Sequence, residues 1–191
     1  MITTINILLF DDIELLDFAG PLEVFTVLDY LRPDLGLKVS TVGLTEKITV
    51  SKSGLEVIPT EIRSEGETDL LVIPGGFGTR EILKQPDNLA YIDRLFSKAR
   101  FTATVCTGAL ILAKLGHLQN KTAITHHMGL DEMRALDGSI EIALDQRFVD
   151  EGTIITAAGI SAGIDMSLYL VEKWFGKEWR EKTQAYMEYK S

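Results

Sequence analysis

Short apolar runs alternate along the chain with longer stretches whose apolar residues recur every three or four positions. Ile5–Phe10 (INILLF), Leu37–Val42, Asp69–Ile73 (DLLVI), Phe101–Val105, Thr122–Thr125 and Thr153–Ala157 read as strands. Thr49–Thr60 reads as a short antiparallel excursion that turns near Lys52–Gly54. Leu22–Leu31 reads as a helix, with Pro21 in its first turn and Gly20 before it. A stripe of Leu89, Ile92, Leu95, Phe96 and Ala99 marks a second helix, and Gly108–Leu115 and Gly129–Leu136 two more. Ile164, Leu168 and Val171 mark another that stops near Gly176, and Lys177–Met187 forms the last.

Strands alternating with helices predict a layered α/β fold whose mostly parallel strands are joined by crossover helices. Ligands in such sheets bind beyond the carboxyl ends of the strands. Those ends carry the versatile residues: Asp17, Gly75-Gly76-Phe77-Gly78, Cys106-Thr107-Gly108, His126-His127 and Gly159-Ile160-Ser161.

The 191 residues suit one domain, 1–191, with a core that needs no staples. One cysteine excludes an internal disulfide and a cysteine-based metal cluster, and fits a reducing cytoplasm. A net charge of −9 argues against nucleic acid, which requires a cationic footprint. No apolar run reaches the length of a membrane span, and the first residues lack the marks of a signal peptide. Three histidines and one cysteine at these spacings form no recognisable metal site.

Cys106 stands where a strand turns into a helix, as in a nucleophile elbow. Of the usual glycines only Gly108 is present, where it lets the helix approach the strand. The helix N-terminus would favour the thiolate, and the Thr107 amide would face an anion forming on an attacked group. Gly76, in a glycine loop brought nearby, would supply a second donor. A buried small hydrophobe is the alternative for Cys106. Asp17 is either a turn or capping residue, or a carboxyl group that reaches Cys106, shares its proton and works as general acid and base. The adjacent histidines face opposite ways in an extended segment, so one at most faces the site, while His117 is expected in solvent. Gly76–Glu81 begins like a dinucleotide fingerprint but has Glu81 in place of the third glycine. Phe18, Phe77 and Ile160 are candidates for an apolar wall, each equally suited to the core.

DLLVIPGGFG, ATVCTGALILAKLG, THH and AAGISAGIDMSLYLVE, with LLDFAGPLEVF near the start, resemble the ThiJ/PfpI (DJ-one) superfamily over nearly the whole chain. The resemblance implies a flavodoxin-like, three-layer α/β/α sandwich of the class I glutamine amidotransferase type. It is strongest to the isonitrile hydratase-like branch, which implies a hydro-lyase that uses no cofactor and turns an isocyanide into an N-substituted formamide. The branch's aspartate, cysteine and following threonine map onto Asp17, Cys106 and Thr107, with Gly75, Gly76, His126 and Ile160 expected around the substrate. Peptidase-like branches carry histidine after the cysteine, where Thr107 stands, and deglycase-like ones carry glutamate at the position of Asp17. A cysteine-based redox sensor and a glyoxalase or deglycase are the alternatives that the same resemblance implies. It also implies a cytoplasmic homodimer acting on a small molecule, away from nucleic acid and membrane. Some relatives add an AraC-type DNA-binding tail, for which this chain is expected to be too short.

Overall fold

The computed structural model describes residues 2–51 and 53–190. In chain order the elements are β1 (Thr4–Leu9), α1 (Leu15–Leu31), β2 (Lys38–Gly43), β3 (Ile48–Thr49), β4 (Glu56–Val57), β5 (Glu61–Ile62), β6 (Leu70–Ile73), α2 (Thr79–Ile82) and α3 (Pro86–Lys98). There follow β7 (Phe101–Val105), α4 (Gly108–Lys114), β8 (Thr122–Ala123), α5 (Leu130–Leu136), β9 (Glu141–Ile142), β10 (Phe148–Asp150), β11 (Ile154–Ala157), α6 (Ala162–Phe175) and α7 (Lys177–Tyr186).

The central sheet runs β10-β11-β7-β6-β1-β2-β5. Every neighbouring pair is parallel except the edge pair of β10 and β11. The inner strands β6 and β7 are apolar or threonine-rich because helices cover both faces of a parallel sheet. On one side α1, α6 and α7 pack on one another; elsewhere α4 packs on α2 and α5. The chain steps from β1 out to β2 and later returns beside β1 as β6. That reversal opens a crevice at the carboxyl ends of β1 and β6.

Three expectations need correction. The first helix begins at Leu15, and Pro21 lies inside it. The buried stripe of Asp17, Phe18, Pro21, Val24, Phe25 and Leu28 passes straight through the proline, and packing against α6 outweighs the local start signal. Thr122–Thr125 is not a strand of the central sheet: only Thr122–Ala123 pairs, with β9, in a separate ladder. The Ile124 amide instead donates to the Thr156 hydroxyl at 3.0 Å. The edge strands β5 and β10, two and three residues long, fell outside the expected set. The antiparallel excursion is present as β3 and β4, although Lys52, expected in its turn, lies outside the described residues.

Candidate active site

At the end of β7 the backbone of Cys106 takes φ +56°, the left-handed region that a side chain rarely adopts. Three hydrogen bonds hold it there. Its amide donates to the carbonyls of Ala157 and Ala158, at 3.1 and 2.8 Å. Its carbonyl accepts the Thr125 hydroxyl at 2.7 Å. This over-determined turn directs the side chain off the end of the sheet. A Cβ on Gly108 would stand 2.1 Å from the Ile73 carbonyl oxygen, so only glycine lets α4 start this close to β6.

Asp17 occupies the first turn of α1 and is fully buried. It does not cap the helix, since Glu14 holds that position. One carboxylate oxygen accepts the Gly75 amide at 3.0 Å, which closes the crevice between β1 and β6. The carboxyl group also lies close enough to Cys106 that its charge favours the protonated thiol. Gly75 has no room for a side chain: a Cβ there would sit 2.5 Å from the Thr107 nitrogen and 2.9 Å from the Cys106 Cβ. The glycine loop and the elbow therefore fit together as one block.

That contact reverses an expectation about the thiol. Burial is the largest influence on Cys106, and with the nearby Asp17 charge it pushes the thiol up to about 12. Hydrogen bonds from the Thr107 backbone and hydroxyl pull the other way and are outweighed. The resting thiol keeps its proton, against the carboxyl group that can take it.

Thr107 and Gly76 also differ from expectation. The Gly76 amide donates to the Thr107 hydroxyl at 3.0 Å, and that hydroxyl donates to the Gly76 carbonyl at 3.1 Å and lies 3.0 Å from the Thr79 hydroxyl. The Gly75 amide is occupied by Asp17. Neither glycine amide is available as a second anion donor, because each already satisfies a buried side chain. The Thr107 hydroxyl staples the loop to the elbow, and the Thr107 backbone is the stronger of that residue's two influences on the sulfur.

A cleft of about 190 Å³ opens above Cys106. Its wall comprises Glu14, Gly76, Phe77, Arg80, Thr107, His126, Met128 and Ile160. Phe77 and Met128 are 60% and 71% exposed. Ile160 holds φ +49°, a strained conformation for a β-branched residue. Of the expected wall, Phe77 and Ile160 are present, whereas Phe18 is buried in the core. Glu14, Arg80 and Met128 lay outside the sequence expectation, because their loops meet only in three dimensions.

His126 lines this cleft and His127 does not. The two rings do not face opposite ways: a helical turn over His127–Gly129 brings them to 4.1 Å. The His126 Nδ1 accepts the Met128 amide at 3.2 Å, which leaves the ring proton of the neutral form on Nε2. His117 is half-buried rather than free in solvent: its ring stacks on Phe96 at 3.7 Å and its Nε2 meets Asp93 at 2.6 Å.

Residues 3–173 match the DJ-1/PfpI family. The chain belongs to this family. Among curated members, isonitrile hydratase of Pseudomonas putida is 32% identical over 190 residues, which covers 99% of this chain and 79% of that protein. The fold of the family is shared equally clearly. A ThiJ/PfpI family protein from Pseudomonas syringae matches with a TM-score of 0.87 at 26% identity, over 100% of this chain and 76% of the other. DJ-1beta of Drosophila melanogaster superposes over the full length of both chains with a TM-score of 0.84 at 20% identity, a likeness of fold alone. The flavodoxin-like, class I glutamine amidotransferase-like architecture of this DJ-1/PfpI member is thus established.

Proposed function

We propose that this protein is an isonitrile hydratase-like enzyme, in which Cys106 is the nucleophile, Asp17 the proton carrier and Thr107 a backbone donor. The observation that carries this reading is the burial of Cys106 and Asp17 side by side against Gly75, at the floor of a mostly apolar cleft. The 32% identity to isonitrile hydratase supports it.

An isocyanide carries its reactive lone pair and electrophilic site on one terminal carbon. As sulfur attacks that carbon, the thiol proton passes to Asp17, and Asp17 returns it to the same carbon. The S–C and C–H bonds form together as the S–H bond breaks, giving a thioimidate on Cys106. The proton lost and the proton gained are the same one, so a thiol that keeps its proton at rest suits the reaction. Asp17 then removes a proton from water as the oxygen adds to the thioimidate carbon. Asp17 passes that proton to the substrate nitrogen, and collapse of the adduct breaks the C–S bond, sends the hydroxyl proton to sulfur and releases an N-substituted formamide with the thiol restored. The Thr107 amide steadies the sulfur throughout, and His126 Nε2–H is placed to donate to the substrate nitrogen. We further propose the cytoplasmic homodimer that the family likeness suggests.

The test is formamide formation from a simple alkyl isocyanide, with Cys106→Ala beside the wild type. Cys106-dependent turnover supports the reading. Absence of turnover in folded wild type, or equal turnover in the variant, removes it. A redox-sensing role shares the residues, and a stable gain of two oxygens on Cys106 after mild peroxide, without isocyanide turnover, would favour it instead.

A further inference from the structure

We propose that the cleft above Cys106 admits uncharged substrates and rejects carboxylates, and that the Arg80–Glu132 ion pair sets this preference. The inference names the substrate class for the hydration reading above.

Arg80 is the only lysine or arginine among the described residues of the wall. Its Nε and Nη2 donate to the two carboxylate oxygens of Glu132 on α5, at 3.0 and 2.5 Å. Its Nη1 points to the Gly76 carbonyl at 3.4 Å. The planar fork that would clamp a ligand carboxylate is thus already occupied by a protein one. An anionic substrate would have to displace Glu132 to reach it.

The remaining charge is unfavourable to an anion. Glu14 contributes a carboxyl group to the wall, and Asp17 lies beneath the sulfur. The cleft thus carries the carboxyl groups of Glu14 and Asp17 in addition to the one, from Glu132, that is paired with its guanidinium. The whole chain adds a net charge of −9. A carboxylate carried to Cys106 therefore leaves water for a cleft lined by further carboxyl groups, whose one guanidinium is already paired. Phe77, Met128 and Ile160 supply apolar surface for an uncharged substituent instead. Glu132 does not touch the substrate; it determines selectivity by neutralising Arg80.

Cys106 is the only thiol in the chain, so alkylation reports passage through the cleft without any isocyanide. Iodoacetamide and iodoacetate are of nearly equal size and differ in charge. Their rates with Cys106, read by protein mass, would be compared for the native protein and for the same chain unfolded in urea at matched ionic strength. Native protein should favour the amide over the acid by about fivefold more than the unfolded chain does, the scale of a partly exposed charge interaction of about 1 kcal/mol. Glu132→Gln should shrink that preference by at least about threefold, by accelerating iodoacetate. Adding Arg80→Gln should abolish the gain. The same ratio in native and unfolded chains, or no change in Glu132→Gln, overturns the inference. A protein that hydrates no isocyanide yet shows this charge preference would lose the reaction and keep the selectivity, so the two failures are told apart.

Discussion

The floor and the rim of the cleft are built on opposite terms. On the floor, Asp17, Gly75, Cys106 and Thr107 are buried, and the Gly75 amide, the Asp17 carboxyl group and the Thr107 hydroxyl all have partners inside the protein. On the rim, Phe77 and Met128 extend into solvent, and the side chains of Arg80 and Glu132 join two helices. A buried polar network tolerates little change, because one lost partner leaves another group desolvated and unsatisfied. An exposed apolar side chain can be replaced with little loss of fold. The floor is therefore suited to fixed chemistry, and the rim to the choice of substrate.

The strongest way to break this comparison is on the floor. With an alkyl isocyanide as substrate, Cys106→Ala should reduce turnover to background, and Asp17→Asn should lower kcat by about 10²–10⁴-fold. The asparagine carbonyl can still accept the Gly75 amide, so thermal unfolding of Asp17→Asn should stay close to wild type. Collapse of its melting transition would make Asp17 a structural residue. Next in size, Thr107→Val removes the partner of the Gly76 amide and carbonyl and of the Thr79 hydroxyl. It should destabilise the protein by about 1–3 kcal/mol in urea unfolding. A valine variant as stable as wild type would show that the staple is dispensable. The smallest effect belongs to the rim. Phe77→Ala and Met128→Ala should each leave stability within about 0.5 kcal/mol, while raising KM for bulky isocyanides with kcat held. A fall in kcat with KM unchanged would place these residues in the chemistry and dissolve the distinction.

The floor was also the legible part of the sequence. A lone cysteine between β7 and α4, an aspartate after β1 and two glycines after β6 could be placed together from the rule that ligands sit at strand ends. What the sequence concealed was how their hydrogen bonds were shared. The Gly76 amide was expected to face the substrate, but whether a buried threonine takes it depends on a contact 31 positions away. The thiol was expected to ionise readily because local position suggested a helix terminus, whereas depth of burial, a property of the whole fold, decides its state. The rim was barely legible, since Glu14, Arg80 and Met128 come from three separate loops and helices with no common spacing. Among the elements, the apolar strands β1, β6, β7 and β11 stood out by composition, but two-residue strands such as β5 carry too few positions to show a period. The start of α1 was missed because Pro21 signals a helix beginning locally, while the stripe that packs on α6 begins earlier.

The central claim is that Cys106 and Asp17 hold one proton between them, and the pH dependence of Cys106 alkylation tests it most directly. With the thiol pushed up to about 12, the wild-type rate with iodoacetamide should climb steadily with pH and reach no plateau below about pH 10. Asp17→Asn removes the negative charge that helps hold the proton on sulfur. Its thiol should titrate lower and alkylate faster at about pH 8, even as isocyanide turnover is lost. A more reactive thiol in a less active enzyme is the predicted result. A wild-type plateau near the ordinary thiol value of about 8.5, unchanged in Asp17→Asn, would contradict it.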